Sequence, residues 1–330
     1  MSMPDPSLSP LLAVRAAHST VRGVSLAYAS CGEGAPVLLL HGLASDHRAW
    51  LPHLGVLGRR YRAMALTQRY FGTDAWADDG ASYGMQTHVD DAAAFIAHLG
   101  LGPVHLVGWS YGGAVALAVA IRHPECVASL CTYDMALATF ITDEADAREA
   151  ANDRTQMVGP SVAAAKAGDI AGAVPLLLDG ACAQPGAFLA LPLPVQAMMR
   201  DNARALALQF GASSPPPPLS AAELAGLRCP AVFAIGGQTR RFYRLASQTA
   251  ARLVPGGRCI EIDAARHLWP VQEPQGFCDM LSDVIDSVPA PGTTGLAAAA
   301  ALWEQGGANR DIAIYLWRDP SNVNSNEAAL

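Results

Sequence analysis

Lysine is almost missing from this chain: Lys166 stands alone among 22 basic residues, and no stretch clusters arginines in its place. With a formal charge of −7, the chain lacks the basic face that phosphate contacts require, which excludes a nucleic-acid-binding surface. Charge of either sign is sparse, at 15% of residues against 51% hydrophobic ones, a balance that excludes disorder over most of its length. No uninterrupted apolar run reaches ~18 residues, so no helical membrane span is expected. The first residues, "MSMPDPSLSPLLAVRAAHST", lack the basic start and apolar run of a secretory signal. The seven cysteines (31, 126, 131, 182, 229, 259 and 278) are odd in number, scattered and set mostly in apolar segments. They read as small buried hydrophobes in a reducing compartment, with the cytoplasm as the expected location. None of the nine histidines forms a metal-ligand spacing and H-E-x-x-H is absent, so neither metal nor cofactor is implied.

What is present is a rhythm of short apolar runs followed by helical patterns. Runs at 35–42, 61–69, 103–110, 127–134, 230–237 and 258–267 read as strands covered on both faces, which points to a mostly parallel central sheet flanked by helices. Segment 85–100 carries Ala92, Ala93, Phe95, Ile96 and Leu99 on one broad face and stops at Gly100; 112–124 runs from glycines to a proline. The fold class is therefore α/β. From 135 to 228 the rhythm breaks into helical patterns and a proline run, as for an inserted helical cap, and residues 289–330 read as a C-terminal extension in which Trp303, Tyr315 and Trp317 hint at docking. The expected organisation is a core first part (1–134), a cap (135–228), a core second part (229–288) and the extension (289–330).

One pentapeptide carries chemistry. Gly108-Trp109-Ser110-Tyr111-Gly112 fits G-x-S-x-G between a strand and a helix, a turn so sharp that only glycine fits two residues before and after the serine. Such a turn lifts the hydroxyl above the sheet edge and aims a helix N-terminus at it. Independently, His41-Gly42 ends the 35–42 run, so the backbone N–H of Leu43 could join that of Tyr111 as an oxyanion hole. The serine needs a base. His267, on a loop after a strand, is the candidate; His123 reads as a helix-end cap, His105 as a strand residue, and His88 and His98, with Asp90 and Asp91, as a solvated helix surface.

The segments "HGLASDHRAW", "LVGWSYGGAVALAVAIRHPECVASL" and "RHLWPVQEPQGF", in this order, resemble the α/β-hydrolase superfamily over about residues 20–134 and 225–287. The resemblance implies an α/β-hydrolase fold with a nucleophile, base and acid. Many relatives place the acid where this chain has Thr239, which cannot carry the charge; a smaller set, including haloalkane dehalogenases and some lactone hydrolases, places it after the preceding strand, where this chain has Asp134. By that resemblance Asp134 is the acid and Thr239 is expected to matter little. Asp263, Asp143 and Glu144 remain as rivals, and an N-cap role remains open for Asp134.

Serine in place of the aspartate of the dehalogenase relatives disfavours halide displacement, because it would form a stable ether. Acyl transfer remains: Ser110 attacks a carbonyl and water reopens the acyl-enzyme. The expected substrate is a small apolar ester or lactone, with Trp109, Trp269 and Met135 as candidate pocket residues and Leu137, Phe140, Met157, Phe188, Met198, Met199 and Phe210 as further apolar side chains of the cap. Two other readings stand beside the esterase or lactonase: a hydrophobic small-molecule receptor on the same fold, and a C–C bond hydrolase or acyltransferase using the same three residues.

Overall fold

A computed structural model describes residues 13–76, 78–211 and 218–288, together with the backbone of a strand at 312–315. The other residues of the expected extension, including Trp303 and Trp317, the side chain of Tyr315, and most of the proline run lie outside the described residues.

The strands are β1 (Arg15–Val21), β2 (Val24–Cys31), β3 (Pro36–Leu40), β4 (Arg62–Leu66), β5 (Val104–Trp109), β6 (Val127–Tyr133), β7 (Ala231–Gly236), β8 (Arg258–Ile262) and β9 (Ile312–Tyr315). They form one sheet in the order β1-β2-β4-β3-β5-β6-β7-β8-β9. From β4 to β8 every pairing is parallel, whereas β1, β2 and β9 are antiparallel additions at the edges. The β1–β2 hairpin has no counterpart in the apolar-run reading, because its strands are half exposed and mix polar with apolar residues. Its two-residue turn, Arg22-Gly23, has positive φ at both positions, as a tight right-twisting hairpin requires.

The parallel strands alternate sides, as a period of two dictates. Leu38 and Leu40 of β3, Met64 and Leu66 of β4 and Leu106 of β5 enter one core with α2 (Met85–His98), α3 (Tyr111–Arg122) and α9 (Arg241–Leu253). Val37 and Leu39, Ala63 and Ala65, and Val107 enter the other, with α1 (Leu51–Leu57) and α11 (Pro274–Asp286). Each fully buried leucine contributes roughly 1.5–3 kcal/mol, so a continuous apolar strand is stable only between two helix layers. No two of the seven cysteines are joined by a disulfide, and five of them are buried.

Between β6 and β7 the chain forms α4 (Glu144–Lys166), α5 (Ile170–Cys182), α6 (Leu193–Asp201), α7 (Ala203–Gly211) and α8 (Ala221–Ala225). These helices make a cap over the C-terminal ends of the parallel strands, tied down on two sides. On one side Arg240 and Arg241 at the start of α9 pair with Asp153 and Glu149 of α4. On the other, buried Asn202 donates to Asp46 (2.6 Å) and accepts from the Gly72 amide (2.6 Å). Phe188, Met198 and Met199 are buried in the second core. Among the described residues no helix is long and apolar enough to cross a membrane.

Candidate active site

Ser110 joins β5 to α3 with φ 55° and ψ −116°, a strained conformation for a residue with a side chain. Four hydrogen bonds hold it there: its amide donates to Tyr133, and its carbonyl accepts from Gly113, Ala114 and Ala136. The flanking glycines are steric necessities. A Cβ on Gly108 would lie 2.3 Å from the Gly112 carbonyl oxygen, and one on Gly112 would lie 2.4 Å from that of Leu40.

The turn after β3 packs directly against the serine. Its shape is set by His41, which is fully buried: the Gln68 amide donates to Nε2 (3.0 Å), and Nδ1 donates to the Gly42 carbonyl (2.9 Å). Burial pushes the His41 pKa down to about 4, so the ring is neutral and this pattern fixes its tautomer. The next amide, Leu43, and the amide of Tyr111 at the first turn of α3 have no protein acceptor among the described residues. Both residues line the same cavity as Ser110.

Asp134 follows β6 with φ 43°, its side chain fully buried. The carboxylate accepts from His267 Nδ1 (3.1 Å), Thr239 Oγ1 (2.7 Å) and, at longer range, the Gly236 amide (3.3 Å). Since Nδ1 donates, the lone pair of His267 lies on Nε2, the nitrogen available to the cavity. The loop carrying His267 is clamped through its main chain: Trp109 Nε1 donates to the His267 carbonyl (2.9 Å) and the Tyr133 hydroxyl to that of Arg266 (2.8 Å). Among the rival acids, Asp143 is spent as the N-cap of α4, accepting from Ala145 and Asp146, and neither Asp263 nor Glu144 bonds the imidazole.

Ser110, His267 and Trp109 line one cavity of about 260 Å³ beneath the cap, with Met157 and Phe210 among its apolar walls. Two expected pocket residues lie elsewhere. Trp269 falls on the short helix α10 (Trp269–Gln272), which turns its ring into the second core against Tyr133 and Phe277. Met135 is buried against Gly113 of α3, leaving the next residue, Ala136, to line the cavity. Thr239 donates to the Asp134 carboxylate, a partnership the sequence reading did not include.

Three residues escaped the sequence reading. His88 and Asp91 belong to the buried face of α2, not to a solvated surface. The Tyr111 hydroxyl donates to His88 Nδ1 (2.6 Å), and His88 Nε2 donates to the Arg69 carbonyl (3.0 Å), so the side chain of the second elbow residue is anchored below the cavity. Asp91 pairs with Arg69 (2.8 Å) and Arg22 (3.1 Å). The spacing of 88, 91–92 and 95 with Phe95 was the available signal. The third is Tyr243, one turn into α9 and stacked on His267 with ring centroids 4.4 Å apart. Its hydroxyl lies 3.4 Å from His267 Nε2, while Ser110 and His267 form no direct hydrogen bond in this resting arrangement. Among the described residues no group of three His, Cys, Asp or Glu side chains is arranged to hold a metal ion.

An (E)-2-((N-methylformamido)methylene)succinate hydrolase of Acinetobacter baylyi is 34% identical over 101 residues, 30% of this chain and 37% of that protein. The match thus spans little more than a third of that relative's length. Among solved structures, a bacterial membrane phospholipase A superposes with a TM-score of 0.64 at 23% identity, covering 83% of this chain and 86% of the other. A thermophilic esterase from Thermogutta terrifontis does so with 0.61 at 23% identity, covering 84% and 100%. At these identities the likeness is one of fold. The sequence profile of the alpha/beta hydrolase family matches residues 37–280, from β3 through most of α11, and the chain belongs to that family.

Proposed function

We propose that this protein is a serine hydrolase that cleaves a carboxylic ester or lactone of a small, largely apolar molecule through an acyl-enzyme. The observation that carries the reading is the hydrogen bond from His267 Nδ1 to buried Asp134, which leaves Nε2 as a base on the cavity that Ser110 also lines. In this reading the Ser110 hydroxyl gives its proton to His267 as its oxygen attacks the carbonyl. The Leu43 and Tyr111 amides receive the oxyanion, each supplying roughly 10²–10³ in rate. His267 then returns the proton to the departing alcohol, and water repeats the sequence on the acyl-enzyme. The apolar walls favour an apolar acyl or alcohol group. Arg154, the one permanent charge in the lining among the described residues, makes a cationic substrate the least favourable.

A second reading, a receptor that binds but does not turn over its ligand, draws support from the absence of a direct hydrogen bond between the Ser110 hydroxyl and His267, whose side-chain partners are Asp134 and Tyr243. Hydrogen bonds of resting sites often tighten only once substrate is bound, so this arrangement is compatible with catalysis. Reaction with a fluorophosphonate, followed by peptide mass analysis, separates the two. Stoichiometric modification of Ser110 in the wild type, lost in His267→Ala, is the expected result and leads to a panel of esters and lactones. An unmodified, folded wild type would overturn the hydrolase reading in favour of the receptor.

A further inference from the structure

Tyr243 has no part in the steps above, yet its ring stacks directly on His267. It is fully buried, and its ring lies parallel to the imidazole of His267, the planes only 8° apart. Its hydroxyl oxygen sits 3.4 Å from His267 Nε2. With the rings parallel, that oxygen lies over the face of the imidazole and not in its plane, so the in-plane lone pair of Nε2 remains open to a proton from Ser110. The position is enforced from the cap: Asp153 of α4 accepts from the Phe242 amide (2.9 Å) and from the Arg240 guanidinium (2.6 Å), pinning the first turn of α9. Burial, reinforced by the nearby Asp134 carboxylate, holds the phenol well above the usual tyrosine range, so it stays protonated and able to donate.

Any leaving-group oxygen that takes the proton from His267 Nε2 must come within hydrogen-bond distance of that nitrogen, and a hydroxyl 3.4 Å from the same nitrogen is then its neighbour. We propose that Tyr243 is a further catalytic residue whose hydroxyl, held beside His267 Nε2 at rest, donates a hydrogen bond to the leaving-group oxygen as the bond to it breaks. This rests on the serine hydrolase reading. In the step itself the Ser110 O–H bond breaks and its proton passes to Nε2 while the serine oxygen bonds the electrophilic centre. The bond to the leaving oxygen then breaks, its electron pair departs on that oxygen, and the oxygen takes the proton from Nε2. The phenol keeps its own proton throughout.

The test compares wild type with Tyr243→Phe, which preserves the stacked ring. Ser110 is phosphonylated with a series of aryl phosphonates that differ only in the phenol released, from p-nitrophenol to unsubstituted phenol. A basic leaving group needs the donor most, so the variant should lose roughly 10-fold or more in rate with phenol and little with p-nitrophenol. The pH dependence of labelling should be unchanged. An equal loss across the series would assign Tyr243 to holding His267 alone, and no loss would remove it from the chemistry; either overturns the proposal. A wild type that is labelled by none of the series overturns the hydrolase reading and this inference with it.

Discussion

Two flanks meet at Ser110, and they are held by different physics. On one, the strained elbow and the Gly42-Leu43 turn present backbone amides, and their shape follows from steric exclusion: no side chain fits at Gly108 or Gly112, and a buried neutral His41 fixes the neighbouring turn. On the other, working groups are side chains brought from far apart in sequence: Asp134 from the end of β6, Thr239 after β7, Tyr243 on α9 and His267 after β8. The first flank is a backbone device, intolerant of added volume. The second is a network of polar side chains, tolerant of shape but not of lost charge or lost donors.

The largest expected effect breaks the side-chain flank while sparing its shape. In Asp134→Asn the amide oxygen can still accept from Gly236 at the Oδ1 position while its NH2, at the Oδ2 position, donates to the Thr239 hydroxyl, and asparagine tolerates the positive φ found there. Without the carboxylate charge the imidazolium loses its stabilisation and Nδ1–H its acceptor, so kcat on any ester the wild type cleaves should fall by roughly 10³–10⁴ with the melting temperature nearly unchanged. A variant as active as wild type would remove Asp134 from the site. The backbone flank should fail in the opposite way. Gly112→Ala places a methyl 2.4 Å from a carbonyl oxygen of β3 and should destabilise the fold by about 3 kcal/mol or more, whereas Gly159→Ala, in open space within α4, should be neutral or stabilising by up to about 1 kcal/mol. Denaturant unfolding of both variants checks the contrast, and equal midpoints would refute it.

This difference explains which parts were legible in the sequence. The elbow could be read because the steric requirement is local: glycines two before and two after one serine, between a strand and a helix, leave few other conformations. The parallel strands could be read because burial on both faces forces continuous apolar runs. The positions of Trp269 and Met135 could not, because consecutive residues on a turn point different ways: His267 and Ala136 line the cavity while Trp269 and Met135 pack into the cores beside it. Tyr243 had no local signature at all, and Thr239 was legible only as a residue that cannot carry the acid's charge. Their roles arise where α9 meets the ends of β6 and β8, a juxtaposition that only the closed sheet creates.

Acid distinguishes the flanks a second way. Beneath the backbone flank, His41 and His88 are buried neutral, with burial pushing their pKa values from the usual 6.5 down to about 4 and about 3. In the unfolded chain both return to ordinary values, so between pH 6.5 and about 4 the unfolded state binds more protons. Their stabilising contribution is complete above pH 6.5 and is lost as pH falls toward 4, at up to about 1.4 kcal/mol per pH unit for each ring. Denaturant midpoints measured from pH 7 to pH 4.5 should decline, and the decline should be shallower in a folded His88→Gln variant, which has one fewer buried ring to protonate. The same slope in both would dissociate His88 from the acid sensitivity.

The smallest effect bears on the acid itself. Thr239 shares the Oδ2 atom of Asp134 with His267, so its hydroxyl and the imidazole compete for, and together orient, one carboxylate. Thr239→Val keeps the volume and removes the donor. The remaining partners, His267 and a long contact from the Gly236 amide, hold the carboxylate less firmly, at a cost of about 1 kcal/mol, which corresponds to a loss of roughly 5-fold in kcat with KM unchanged. Thr239→Ser, which restores the hydroxyl on a smaller side chain, should recover most of that loss. Recovery by serine would assign the effect to the hydrogen bond, while a loss in serine with valine near wild type would assign it to packing. Either way the contribution of the Thr239 hydroxyl is measured against that of the carboxylate it contacts.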